Sequence, residues 1–570
     1  MASPSWLPRV LLAAVVLLFV AQVLQRAGDK SRLQPRYDEV SYIADARDFA
    51  RRGGLWATIG CYIEGRCTGD NRHPGYMMAL LAVSGNDPAF FARAKTVTLV
   101  CGLLVLLVVY LAARAAGGAR LALVATMLAA LSTSLVDLSS RVLADVLYAA
   151  LFVAALSLVT RALRDPPLGA WTEARWMLLA GAVMGVGYLV KGSAHLLLPC
   201  AVGAVIYVHR ARAVSRPALY ALAAAFLLLA GFLLWRNVVV YGNPVHNYNN
   251  RTVWMDAWEQ VWTLSRGDGW RDIGIGWYLE HHSFGELVLR LLRGLGRTLG
   301  VIVYAGGVGV PANPPAGMST AFAVARGVSG FFVVALGAWG LVRSARVGAP
   351  RGDARIAAVT TSLALLLFVA AYSVGSAGVG GTPVRFVIPL VLLLFPYSAK
   401  MLLEVLGPAL ARRLHLGAGR LRVAGWALVL LLLAGFGFAA TKIGRGPSES
   451  ALVPPHWAQT SAWLSKHLRR GERFALPYRS VYSTWDEPLP DTDPRWNYDF
   501  SQPATKMLAH MAKDKVRTVL LDTTERDYAR YAGKRSSAKD SHGPLRFLGW
   551  PRCFHDGSTP SRFLAYCKPR

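Results

Sequence analysis

The chain has 570 residues, 54% of them hydrophobic and only 17% charged, with a mean hydropathy of +0.36. Apolar runs of membrane-spanning length recur along the first 440 residues, which excludes a string of soluble domains. The net charge of +29 would point to nucleic acid in a soluble protein. Here the basic residues sit at the ends of apolar runs, so no nucleic acid is needed to explain them.

The first run, 7–24, follows Arg9 as a signal peptide would, but its length and missing small-x-small site mark a retained anchor. Further spans are expected at 94–114, 120–136, 143–161, 175–191, 193–209, 217–235, 322–342, 355–374, 385–404 and 422–440, about eleven crossings in all. Two amphipathic stretches, 74–83 and 286–299, read as helices lying along the interface. With the N-terminus inside, the short cytoplasmic connections at 114–120, 161–175, 210–216, 343–355 and 400–422 hold 17 Lys/Arg against four acids. The short outward connections at 137–141, 191–193 and 375–385 hold three: Arg141, Lys191 and Arg385. This positive-inside asymmetry orients the chain with its N-terminus in the cytoplasm. It gathers three hydrophilic regions on the outer face: a loop at 25–93, a loop at 236–321 and a tail at 445–570.

In the tail, helix-like 456–469 and 503–512 alternate with strand-like 473–477 and 516–521, with a last strand at 562–566. That pattern predicts a small extracytoplasmic α/β domain. Residues 451–570 carry 20 Lys/Arg against 12 acids, either a solvated surface or an attraction for anionic headgroups. Cys101 and Cys200 lie inside spans. Cys61, Cys67, Cys553 and Cys567 fall on outward segments, where disulfides persist. Three pairings are possible; the local ones, Cys61–Cys67 and Cys553–Cys567, are simplest, and four free thiols are the alternative.

The first outward loop contains Asp38-Glu39-Val40-Ser41-Tyr42-Ile43-Ala44-Asp45. Helical spacing puts Asp38, Tyr42, Asp45 and Phe49 on one stripe. Adjacent carboxylates there can act as a base or hold a divalent cation. They can equally cap a helix and complement its dipole.

This pair and several later segments resemble the GT-C glycosyltransferases, particularly the protein O-mannosyltransferase and aminoarabinose-transferase branch. Asp-Glu, two residues, then Tyr after the first span is that family's pattern. Arg72-His73-Pro74-Gly75-Tyr76 is similar to its basic-Pro-x-x-Tyr segment, with one residue fewer between Pro and Tyr. Gly185 to Pro199 resembles its Gly, Lys-Gly, Leu and Pro pattern. Val384-Arg385-Phe386-Val387-Ile388-Pro389 resembles its late Arg-aromatic-x-x-Pro, and Trp235-Arg236-Asn237 with Gly242-Asn243-Pro244 also fits.

The resemblance covers about the first 400 residues. It implies a polytopic α-helical, GT-C-like membrane protein with a transmembrane catalytic domain at 1–444; the soluble domain at 445–570 is read from the pattern of the tail alone. It further implies a glycosyltransferase of the cell membrane that uses a polyprenyl-phosphate-linked sugar, without a nucleotide cofactor, on an extracytoplasmic glycan, lipid or protein. Asp38 would be the base, supported by Glu39, with Tyr42, His73, Tyr76, Asp145, Lys191, Arg236 and Arg385 binding substrate. Asp38 and Glu39 would also be the ligands of any divalent metal ion.

Each weaker assignment has a structural alternative. Asp145 can be an N-terminal helix acid, Lys191 a snorkelling anchor and His73 a lone loop histidine. Trp254, Trp258, Trp262, Trp270 and Trp277 can stack on a sugar or form an interfacial belt. The rival function is a transporter of lipid-linked sugars, which would show half-chain repeats and polar residues near the bilayer midplane.

Orientation is testable by cysteine labelling from the outer side. A probe at Ser536 should react and one at Gly352 should not; the reverse would strand Asp38 in the cytoplasm.

Overall fold

The computed structural model describes residues 7–28, 38–67, 72–85, 89–164, 167, 169–247, 249–256, 273–310, 319–346, 352–376 and 383–413. In the C-terminal region it describes 463, 466–467, 473–475, 493–495, 508–509, 511–512, 516–522, 536–540, 543–547, 550–555 and 563–567. The chain divides into two compact units: Met1–Asp29, Asp48–Val83 and Ala94–Arg445 form the first, and Lys30–Arg47, Ser84–Arg93 and Gly446–Arg570 the second.

The helices in chain order are α1 (Leu7–Ala27), α2 (Asp38–Arg51), α3 (Gly54–Ile63), α4 (Gly75–Leu80), α5 (Phe90–Ala130), α6 (Thr133–Ser139), α7 (Asp145–Ala162) and α8 (Ala170–Val190). They continue as α9 (Leu197–His209), α10 (Arg216–Tyr241), α11 (Asn249–Thr252), α12 (Ile275–His281), α13 (Phe284–Ala305), α14 (Ser319–Ala345), α15 (Gly352–Ser376), α16 (Val384–Met401) and α17 (Gly407–Arg413). Among the described residues, nine helices are long and apolar enough to cross a membrane. The chain is a multi-pass membrane protein.

One of the nine, α5, has 41 residues and bends at Gly117–Gly118, where Gly118 adopts φ 84°; side-chain-bearing residues rarely take that conformation. The expected spans 94–114 and 120–136 both begin within this one element. The nine helices overlap ten of the expected spans, whereas 422–440 lies outside the described residues, as do Trp258, Trp262 and Trp270.

The span expected at 120–136 is interrupted. The helix stops at Ala130, and the backbone at 131–133 pairs instead with 307–309: Thr133 N–H donates to Gly307 O at 3.2 Å and Gly309 N–H to Leu131 O at 3.0 Å. Ser132 then caps α6, its Oγ accepting from Leu135 N–H at 3.4 Å. Ser and Thr offer the backbone local alternatives to helix, and a run of apolar neighbours concealed them.

Of the two amphipathic stretches, 74–83 folds as α4 and a short 3-10 turn, burying Tyr76, Met77 and Leu80. The second becomes α13, opened by a reciprocal cap between Ser283 and Glu286. It buries Arg290 and Thr298 and exposes Phe284, Leu292 and Leu299.

Small residues let the spans close on one another, as membrane helices require. At Gly181 of α8 a β-carbon would overlap the carbonyl oxygen of Leu222 on α10, and Gly185 meets Phe226 and Leu229 one turn on.

The second unit contains a seven-stranded mixed sheet among its described residues: β1 (Arg473–Ala475), β2 (Asp493–Arg495), β3 (Val516–Asp522), β4 (Ser536–Asp540), β5 (Gly543–Phe547), β6 (Trp550–His555) and β7 (Phe563–Cys567). The order is β2-β1-β3-β7-β6-β5-β4, with β1 parallel to β2 and β3 and the other pairings antiparallel. Val516, Val519, Leu564, Ala565 and Tyr566 are buried. A disulfide joins Cys553 on β6 to Cys567 on β7. Strands β1, β3 and β7 coincide with the expected ones; β2, β4, β5 and β6 were not anticipated.

The Gly181 contact gives a direct test. Gly181→Val should destabilise the purified protein by about 1–3 kcal/mol, the usual cost of overpacking. Gly231→Ala, which meets nothing within 4 Å, should leave the thermal midpoint unchanged.

Candidate active site

Several motifs that are distant in sequence meet at the end of the bundle where α8 finishes. Lys191 is the first residue beyond α8, in an extended conformation. Its ammonium forms an ion pair with Asp145, the first residue of α7, and both side chains are largely buried. It also lies 4.2 Å from the centroid of the Phe386 ring and 5.5 Å from that of Tyr148. The Arg385 guanidinium approaches the same Phe386 ring at 5.2 Å. Two cations from opposite parts of the chain therefore approach one aromatic ring, an arrangement that keeps them in place in a weakly hydrated setting. The site can hold an anion.

His73 is brought here too, but as part of the wall. Its Nδ1–H donates to Tyr188 O at 2.6 Å, Asn247 Nδ2 donates to its Nε2 at 3.1 Å, and its ring stands edge-on to Tyr188 at 4.9 Å. Burial pushes the imidazole from 6.5 down to about 4, so it is neutral near pH 7. Tyr76 is fully buried, with its hydroxyl 2.6 Å from Thr98 Oγ1. Both ends of the Arg72–Tyr76 motif's chemistry are thus engaged within the protein.

The Trp235-Arg236-Asn237 motif at the end of α10 holds two loops. Trp235 donates to Ile63 O at 3.2 Å and Arg236 to Cys67 O at 3.4 Å, both on the loop closed by the Cys61–Cys67 disulfide. Arg236 also stacks on Tyr62 at 5.0 Å and Tyr241 at 5.3 Å. Asn237 donates to Pro244 O at 3.0 Å and His246 O at 3.3 Å, fixing the Gly242–Pro244 turn.

Asp38, Glu39 and Tyr42 belong to the second unit. They stand on α2, where Glu39, Ile43 and Ala46 form the buried face, and Asp38, Tyr42 and Asp45 are half-exposed. Asp38 rather than Glu39 is therefore the accessible carboxylate of the pair. Asp38 and Glu39 supply two adjacent carboxylates, and no third His, Cys, Asp or Glu completes a metal-binding group with them among the described residues.

Three residues that sequence reading missed line the Lys191 cluster. Tyr372 stacks on Phe386 at 6.0 Å, and Ser193, Tyr148 and Tyr372 all bury their hydroxyls. Tyr148 had a signal, being one helical turn after Asp145; Ser193 follows Lys191 by two. Tyr372 had none.

A buried ion pair is best tested by breaking it one side at a time. Lys191→Met and Asp145→Asn should each lower stability by about 3–5 kcal/mol, because each strands a charge. The double variant should recover a large part of the loss in thermal unfolding.

The fold has counterparts. The family model described as dolichyl-phosphate-mannose-protein mannosyltransferase matches residues 76–235. The oligosaccharyltransferase of Archaeoglobus fulgidus is similar in structure, with a TM-score of 0.52 at 13% identity over 91% of this chain and 70% of that one. So is ArnT from Cupriavidus metallidurans bound to undecaprenyl phosphate, with a TM-score of 0.50 at 13% identity over 100% of both chains. No curated protein is significantly similar in sequence. Residues 76–235 thus match the mannosyltransferase family model, and the chain shares its fold with these two membrane proteins.

Proposed function

We propose that the chain transfers a sugar from a polyprenyl-phosphate donor to an acceptor on the extracytoplasmic face, with inversion at the anomeric carbon. The acceptor nucleophile attacks that carbon and gives its proton to Asp38. The bond from the anomeric carbon to the phosphate oxygen breaks, and the lipid phosphate leaves with one more negative charge. Fixed cations at the departing oxygen stabilise that charge.

The convergence of Lys191 and Arg385 on the Phe386 ring carries this reading. A guanidinium can grip two phosphate oxygens and never loses its charge. The ammonium of Lys191 adds a point charge whose partner, Asp145, sets its position. The undecaprenyl phosphate named with ArnT is a ligand of the kind such a site would take. Asp38 is assigned as base on the half-exposed Asp38–Tyr42–Asp45 stripe and on its resemblance to the family's Asp-Glu motif.

Two measurements on purified protein in nanodiscs test the assignment. Arg385→Ala should weaken polyprenyl phosphate binding about tenfold or more, the worth of a charged hydrogen bond, while Asp38→Asn should not alter it. Asp38→Asn should lower transfer by roughly 10²–10⁴. Retention of more than about a tenth of the wild-type rate would remove Asp38 as the base.

A further inference from the structure

The chain turns sharply at Lys191, and what holds that turn is unusual. The last helical hydrogen bond of α8 runs from Lys191 N–H to Gly187 O at 2.8 Å. The next carbonyl, Tyr188 O, accepts a hydrogen bond from His73 Nδ1–H. His73 thus serves as a C-terminal cap supplied from more than a hundred residues away, doing what a local glycine motif does in many helices.

The other side of the ring is equally committed. Because Nδ1 donates to a carbonyl, Nε2 carries the lone pair, and Asn247 Nδ2 donates to it; the partners dictate the tautomer. The two side chains lie against Gly192, the residue directly after Lys191. A β-carbon on Gly192 would overlap Asn247 Nδ2 and stand 2.8 Å from His73 Nε2. Lys191 is therefore flanked by a capped carbonyl before it and a clamped glycine after it.

We propose that His73 and Asn247 are positioning residues for Lys191, a neutral imidazole–amide clip that sets the turn from which the ammonium reaches its anion. The clip assigns His73 no contact with the phosphate. This inference rests on the reading of Lys191 as a donor-binding cation, but it makes separate claims about His73 itself.

Those claims are read first on the wild-type protein. With histidine labelled by nitrogen-15 and the His73 resonance assigned by its absence in His73→Phe, the spectrum should show the neutral Nδ1–H tautomer. Saturation with undecaprenyl phosphate in nanodiscs should leave it in place. A shift of Nε2 on lipid binding would make His73 a ligand and overturn the clip.

The second measurement follows Lys191 by its rate of acylation with an amine-reactive reagent, read by mass spectrometry. His73→Phe, which keeps a ring but no hydrogen bond, should raise that rate roughly three- to tenfold, as should Asn247→Ala. His73→Asn, which retains a donor near Tyr188 O, should fall closer to wild type. Equal rates in wild type and His73→Phe would end the proposal. If instead the acylation results hold while Lys191→Ala binds undecaprenyl phosphate normally, the clip stands and the donor-site reading fails.

Discussion

An ammonium at the end of a largely buried apolar helix loses much of its water, and that loss must be offset within the protein. At Lys191 the offset comes from Asp145 and from the faces of Phe386 and Tyr148. Everything else at this end of the bundle follows from holding those groups in register. Asp145 must open α7, Phe386 must stand in the first turn of α16, and α8 must stop at Val190. The close approach of α8 and α10 at Gly181 and Gly185 then brings Asn237 to the Tyr188 hydroxyl, at 3.5 Å. Local chemistry and helix packing specify the same geometry.

The spans were legible because a bilayer admits few solutions, and long apolar runs announce the one in use. What could not be read was partnership. His73 has the composition of a ligand, and only its surroundings reveal an imidazole with both nitrogens occupied and its charge suppressed. The partner of Tyr76 was hidden for the same reason, since nothing in the sequence brings Thr98 to its hydroxyl. The break at 131–133 depends on a pairing with 307–309, about 175 residues away, and has no local sign beyond two Ser/Thr residues.

The sheet shows the limit of propensity. Strands β1, β3 and β7 carry β-branched and aromatic residues and were anticipated. By contrast, β4 reads SSAKD and β5 GPLRF; their strand state is a property of pairing with neighbours, which host context decides more than residue type.

The order of that sheet bears on when it can form. Its last strand in sequence, β7, lies at the centre, between β3 and β6. Until residues 563–567 have left the ribosome, the remaining strands can make at most two separate ribbons, β2-β1-β3 and β6-β5-β4, each with an open edge. The Cys553–Cys567 bond can close only at that same moment. Assembly of this unit therefore waits on residues 563–567, and loss of that one strand would halve the sheet rather than trim it.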